Sequence, residues 1–258
     1  MAKRVSGPAH LSITGASSGI GAALAREYAA PGVRLSLAGR DRERLADVAR
    51  DCLSKGAQVD TASLDVLDEA AMADWTRARD SAHPLDLVIA NAGISAGTGG
   101  SGEEGPDQAR RIQAVNVEGV MNTVFPAIEL LRARGAGQIA LMSSLASFRG
   151  FPGAPAYCAS KAMVRVWGES LRGHLAPSGV GVSVICPGYV ESPMTAVNTF
   201  PMPFLMSAEK AARIIRRGLS RNRARIAFPF PTYLAAWLLG SLSPGLTDPL
   251  LRRLPEKS

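Results

Sequence analysis

Short apolar runs alternate with longer stretches of helical periodicity along most of this chain. Residues 10–14 (HLSIT), 33–38 (VRLSLA), 58–63, 85–90 (LDLVIA), 138–142 and 180–186 (VGVSVIC) read as β-strands. Most are near-continuously apolar, as buried parallel strands are. Helical patterns at 19–30, 41–54, 68–82, 108–134 and 156–176 follow the first five. Repeated β–α–β units imply a doubly wound α/β fold, a parallel sheet of about seven strands with helices on both faces. Right-handed crossovers then restrict the topology. The chain's 258 residues and 47% apolar content suit a single domain spanning 1–258. Residues 97–105 hold five glycines and follow a strand. This segment reads as a mobile loop at 94–106 beside the site. From 229 to 258 the chain is apolar and broken by prolines, which predicts short helices near 232–241 and 246–253.

Charge and cysteine content narrow the classes. The net charge is +7, with 29 basic and 22 acidic residues. Seven basic residues and no acidic one lie between Lys210 and Arg225. Such a run reads as a solvated helix face. Without interleaved aromatics it does not read as a nucleic-acid surface, and none is expected as a partner. Three cysteines, Cys52, Cys158 and Cys186, have no CxxC spacing, so neither a disulfide scaffold nor a metal site is expected. A reducing, cytoplasmic setting follows. No apolar run reaches the length of a membrane span, and the first residues lack the apolar core of a signal peptide.

The first strand ends in Thr14-Gly15-Ala16-Ser17-Ser18-Gly19-Ile20-Gly21, and a helix follows. Glycines let a backbone turn sharply and approach a pyrophosphate, and a helix N-terminus offers it free N–H groups. The tip of the second strand chooses the dinucleotide. NAD sites place a carboxylate there for the ribose 2′-hydroxyl. Here Ala38-Gly39-Arg40 stands instead, and Arg40 can fork onto a 2′-phosphate. NADP(H) is therefore expected over NAD(H). Asp41 reads as the cap of the next helix.

Tyr157 and Lys161 stand i and i+4 at the start of a long helix, on one face. A tyrosine is a poor base near neutral pH, and a neighbouring ammonium favours its phenolate. Such a tyrosine can exchange a proton with an alcohol or a carbonyl oxygen. Ser144 closes the fifth strand, where its hydroxyl can meet an oxygen developing charge. Asn116 lies in a helical pattern where asparagine is poorly suited, which asks for a hydrogen-bonding reason.

Together these residues resemble the short-chain dehydrogenase/reductase family, in its single-domain, Rossmann-type form. The family's TGxxxGIG motif matches Thr14–Gly21. Its NNAG motif appears as Ala90-Asn91-Ala92-Gly93, with alanine for the first asparagine. Its Asp-Val pair beside adenine matches Asp65-Val66, and its PG motif matches Pro187-Gly188, followed by Val190 and by Ser192 where threonine is usual. The resemblance spans about residues 8–228. It implies Asn116, Ser144, Tyr157 and Lys161 as the catalytic set. The cofactor would be held by Gly15, Ser17, Ser18, Gly19, Ile20, Gly21, Arg40, Asp65, Val66, Asn91, Ala92, Gly93, Tyr157, Lys161, Pro187, Gly188, Val190 and Ser192. Tyr157 would protonate the substrate oxygen and Ser144 would hold it. Lys161 would bind the nicotinamide ribose and depress the Tyr157 pKa. Asn116 would anchor a relay water.

The substrate would be an apolar carbonyl or alcohol compound. Phe148, Phe151, Pro152, Tyr189, Met194, Phe200, Met202, Phe204, Leu205 and Met206 are the expected walls, with 189–207 as the substrate loop. Alternatives are an NAD-dependent alcohol or hydroxysteroid-type dehydrogenase, and a lipid carbonyl reductase peripheral to a membrane. In the last, Phe228, Phe230, Tyr233, Trp237, Leu238 and Leu239 would enter the lipid surface. The expected role of the tail is instead to pack on the domain or on a neighbouring subunit of a homodimer or homotetramer.

Overall fold

The computed structural model describes residues 7–96 and 104–251. Seven strands form one parallel sheet: β1 His10–Thr14, β2 Arg34–Gly39, β3 Gln58–Ser63, β4 Leu87–Ala90, β5 Gly137–Met142, β6 Val180–Pro187 and β7 Arg225–Phe228. Their order is β3-β2-β1-β4-β5-β6-β7. The chain winds outward from β1 in one direction, then returns to β4 and winds the other way. The reversal lies between β1 and β4, which leaves a crevice beyond their carboxyl ends. Every residue of β1 and β4 is buried, whereas the edge strand β3 is partly exposed and carries polar residues.

The helices are α1 Gly19–Tyr28, α2 Arg42–Ser54, α3 Glu69–Ala82, α4 Pro106–Gln113, α5 Gly119–Arg134, α6 Pro155–Leu175, α7 Pro193–Ala196, α8 Ala208–Leu219, α9 Phe230–Ser241 and α10 Pro244–Leu251. Helix α1 packs between α2 and α8, while α3 packs on α5 and α4 on α6. Asp41 and Asp68 cap α2 and α3 by accepting from Arg44 N and Ala71 N, both at 3.0 Å. Asp41 thus has the capping role expected of it.

Two features differ from the expected elements. The helix expected over 108–134 is divided, because Ala114–Glu118 forms a π-helical turn between α4 and α5. The basic run is also divided. Lys210, Arg213 and Arg217 are exposed on α8, but Arg216 pairs with Glu27. Arg225 lies in β7, paired with Glu169 of α6. The expected glycine-rich loop falls mostly on 97–103, outside the described residues. Among the described residues, no helix is long and apolar enough to cross a membrane.

Helix α6 sits close on the sheet at Gly168. A Cβ there would lie 2.7 Å from Val184 Cγ2 and 3.3 Å from Leu141 Cδ1. The missing side chain sets how near the helix bearing Tyr157 can approach β5 and β6. Overpacking such a contact costs about 1–3 kcal/mol. Gly168→Val is expected to lose about that much stability in urea denaturation. Wild-type stability would show that α6 has room to retreat.

Candidate active site

The crevice begins at the turn after β1. Gly15 has φ +65°, and a Cβ on it would lie 2.8 Å from Ala92 Cα. A Cβ on Gly21 would stand 2.3 Å from the Gly15 carbonyl oxygen. The ends of β1 and β4 and the start of α1 therefore meet backbone to backbone. Asn91 braces them: its Nδ2 donates to Thr14 O at 2.9 Å and Gly15 O at 3.2 Å. Thr14 Oγ1 accepts in return from Asn91 N at 3.1 Å and Ala92 N at 3.3 Å. Ser18 is the N-cap of α1 and makes no side-chain capping bond, and the first turn holds no acidic residue. Free N–H groups at a helix start, reached through a glycine cradle, suit a phosphate.

Further along, Ser17, Gly39, Arg40, Asp41 and Arg44 line the crevice on one side and Leu64, Asp65 and Val66 on the other. Arg40 is exposed at the tip of β2. No carboxylate replaces it there, because Asp41 is committed to the cap of α2 and to an ion pair with Arg44 at 3.1 Å. Asp65 accepts from Leu67 N at 3.0 Å. These residues fit a dinucleotide, and Ser17 stands beside Gly39, where a Cβ would lie 3.3 Å from Ser17 Oγ.

Ser144 follows β5 in an extended conformation, and its Oγ accepts from Ala146 N at 3.1 Å. Tyr157 lies in the first turn of α6, and its phenol is hydrogen-bonded to Ser144. One turn later Lys161 is buried, and its Nζ donates to Met142 O at 3.0 Å. Nζ stands 5.9 Å from the centre of the Tyr157 ring. Asn116 occupies the π-helical turn. Its Oδ1 accepts from Ile94 N at 2.8 Å, and its Nδ2 donates to Ile94 O at 2.9 Å and Ser160 Oγ at 3.0 Å. A Cβ on Gly93 would reach 3.0 Å from Asn116 Oδ1 and 3.2 Å from Lys161 Nζ. The four expected catalytic residues are thus brought together.

Burial sets the protonation states. It lowers the Lys161 ammonium to about 8, against a smaller raising effect of Cys186. It raises the Tyr157 phenol to about 12, against the Ser144 hydrogen bond, which lowers it. Burial thus works against the phenolate that a neighbouring ammonium would favour. Desolvation of the phenolate outweighs the favourable hydrogen bond. The Asn116 side-chain bonds tie Ile94 to α6.

The cleft has a volume of about 820 Å³ and continues past Tyr157. Phe151, Pro152, Tyr189, Met194 and Phe200 line it as expected. Five expected wall residues do not. Phe148 packs on Tyr233 and beneath Arg165 and Arg225. Met206 is buried in a bridge to Val190, Met202 contacts Asn198, and Phe204 and Leu205 point to solvent. Ser192 lines the cleft while capping α7, with Oγ accepting from Thr195 N at 3.3 Å. Two contributions escape sequence reasoning. Thr232, Ala235, Ala236 and Leu239 of α9 line the cleft, while Phe230, Leu234, Trp237 and Leu238 of that helix are exposed. Glu104 Oε2 accepts from Ala156 N at 2.9 Å, capping α6 where Ala154 cannot. Loop proximity alone brings Glu104 there, and no local pattern marks it.

Comparison with known proteins agrees with this geometry. The family model for short chain dehydrogenase matches residues 9–200. An uncharacterized oxidoreductase of Myxococcus xanthus is 39% identical over 243 residues, covering 94% of this chain and 96% of its relative. The solved short chain dehydrogenase/reductase from Burkholderia phymatum in complex with NAD is 25% identical, with TM-score 0.81 and 96% of each chain covered. A short-chain dehydrogenase from Sphingobium yanoikuyae in complex with NADPH shares the fold at 24% identity and TM-score 0.78, covering 96% of this chain and 97% of that one. These support a nicotinamide dinucleotide as cofactor. The chain belongs to the short chain dehydrogenase family and is an oxidoreductase.

Proposed function

We propose that this protein is an NADP(H)-dependent oxidoreductase that interconverts a carbonyl and an alcohol on an apolar substrate, with Tyr157 as general acid and base. The observation that carries this reading is the Tyr157 hydroxyl bonded to Ser144 above a buried Lys161. The pair faces a cleft that runs back to the uncapped start of α1.

The chain's residues divide the work. Free N–H groups after Ser18 and the Gly15 turn would hold the pyrophosphate, Arg40 the 2′-phosphate, and Asp65 and Val66 would flank the adenine. Gly93, Lys161, Val190 and Ser192 would surround the nicotinamide end. When bound, the reduced nicotinamide supplies the hydride. Ser144 would donate a hydrogen bond to the substrate oxygen and stabilise the charge that grows there. Tyr157 would deliver the proton. Its raised pKa keeps it protonated at neutral pH, the form that carbonyl reduction requires. Phe151, Met194, Phe200 and Leu239 would enclose the apolar part of the substrate.

Three outcomes test the reading. NADPH oxidation at 340 nm, followed with a panel of apolar ketones and aldehydes, is expected to disappear in Tyr157→Phe while NADPH binding persists. Carbonyl reduction surviving that change would refute the proton donor. Arg40→Asp is expected to weaken NADPH binding about tenfold or more, with little loss for NADH, since a charge-assisted fork is worth roughly 1.5–3 kcal/mol. Equal losses for both would refute the 2′-phosphate contact.

The third outcome concerns pH. Reduction uses the protonated Tyr157 and the ammonium of Lys161. Lys161 loses its proton first, near 8. The kcat/KM for reduction is therefore expected to be level through neutral pH and to fall as pH rises through about 8. Lys161→Arg keeps its charge above pH 12. In that variant the fall is expected to move to strongly alkaline pH, even if the overall rate is lower. A limb still centred near 8 would assign it to another group.

A further inference from the structure

A helix that borders a cleft ordinarily turns a polar face to water. Helix α9 does not. Thr232, Ala235, Ala236 and Leu239 line the cleft. Phe230, Leu234, Trp237 and Leu238 stand exposed at i, i+4, i+7 and i+8, on the opposite side of the helix. Beyond Leu242, itself exposed, α10 exposes Leu246 and Leu250, by 74% and 56%. From Ile226 to Thr247 the chain carries no charged residue, and Asp248, next in line, is paired with Arg149 at 2.7 Å. Polar side chains of α9 are turned onto nearby carbonyls. Thr232 Oγ1 donates to Pro229 O at 3.1 Å, and Ser241 Oγ donates to Trp237 O at 2.9 Å. The outer face of α9 thus offers contact area and almost no directed bonds.

Protein partners meet through about one hydrogen bond per 100–200 Å² and a polar rim, for which this face is poorly equipped. A lipid surface requires neither. Its anionic headgroups are matched by the sequence that follows. Arg252 and Arg253 come directly after Leu251, the last residue of α10, and chain connectivity keeps their Cα atoms within about 8 Å of it. The whole chain is also positive, at +7. Apolar side chains next to basic ones are the two signals that together hold a protein at a bilayer surface. Trp237 suits headgroup level, where its ring lies in the apolar layer and its N–H meets water. With 12 residues, α9 is about 18 Å long, too short for a hydrocarbon core of about 30 Å, so it would lie on the surface.

We infer that α9 and α10 dock this protein on a bilayer that contains anionic phospholipid. Helix α9 is then a wall shared by lipid and cleft, and the apolar substrate is drawn from the bilayer. Delivery of substrate rests on the proposed carbonyl–alcohol activity; the docking itself does not.

The test is flotation of the full-length protein with vesicles of phosphatidylcholine, alone or mixed with phosphatidylglycerol. The wild type is expected to bind the anionic vesicles about tenfold or more tightly than the neutral ones. The double variant Trp237→Glu, Leu238→Glu is expected to lose about tenfold or more of that binding, since two large apolar side chains no longer leave water. Both positions are exposed, so it is expected to keep wild-type thermal stability. If it does not fold, Phe230→Glu with Leu246→Glu serves the same purpose. Vesicles are also expected to shift the tryptophan emission to shorter wavelength, and Trp237→Phe to abolish the shift while still floating. A wild type that floats with neither vesicle overturns the inference. So does flotation undiminished in the charged variants, or a shift that persists in Trp237→Phe, because the lipid then lies on another face. Equal flotation with both vesicles overturns the anionic surface as the occupant. An oligomer in lipid-free sedimentation that the double variant dissociates, with no flotation, assigns the face to a second copy and overturns it too. None of these readouts needs turnover, so a protein that docks but reduces no ketone refutes the proposed activity alone. Where ketones are reduced, the double variant is expected to lose about tenfold or more in kcat/KM for a long-chain ketone carried in anionic vesicles. It is expected to match the wild type on a short, water-soluble ketone. Equal rates on the vesicle-borne ketone overturn delivery from the bilayer.

Discussion

The carboxamide of Asn116 is fully buried, and such a group is tolerated only where its donors and acceptor are matched. The match is made across three parts of the chain. Ile94, just after β4, offers both its N–H and its C=O, while α6 offers Ser160 Oγ. Ser160 Oγ in turn donates to Tyr157 O at 2.7 Å, so the network reaches the backbone of Tyr157. The π-helical turn makes this possible, because one wider turn rotates Asn116 relative to the helix before and after it. Without it, β4, the 114–118 turn and α6 would share packing but no common reference point. Gly93 belongs to the same constraint. Its lack of a side chain leaves room for Lys161 Nζ and Asn116 Oδ1 to stand beside the strand end.

That geometry also explains why Tyr157 and Lys161 move in opposite directions from their ordinary values. Both are drawn into a dry corner, where each charged form is disfavoured. The phenol becomes a weaker acid and the ammonium a stronger one. In the proposed reaction this holds Tyr157 in the protonated form that delivery to a nascent alkoxide needs. Proton removal from an alcohol must work against the same burial, so the two directions of the reaction draw unequally on this corner.

Much of this was legible in the sequence because it depends on local constraint. The Gly15–Gly21 turn must be glycine wherever backbone meets backbone, and the spacing of Tyr157 and Lys161 is a property of any helix. Six strands were visible as apolar runs. β7 was hidden inside a basic stretch, since Arg225 faces Glu169 across the sheet edge and only Ile226 and Phe228 are buried. The π-helical turn was hidden because Ala-Val-Asn-Val-Glu fits an ordinary helix, and only tertiary bonds to Asn116 favour the wider turn. The Glu104 cap and the place of α9 in the cleft wall were hidden for a related reason. Their contacts join residues far apart in the chain, and no periodicity records them.

The division between legible and hidden parts follows the chemistry. Groups that hold a dinucleotide or transfer a proton sit at strand ends and helix starts, where backbone geometry limits the choice of residue. The far wall is assembled from the segment after β6 and from α9, joined by side-chain packing. Tyr189 leans on Phe200, and α9 meets the 145–148 turn so closely that a Cβ on Gly240 would lie 2.1 Å from Phe148 O. The backbone bonds of that segment, such as Glu191 N to Met206 O at 2.9 Å, run mostly within it, so its side chains can change without disturbing the sheet. Substrate discrimination is therefore free to reside in that wall.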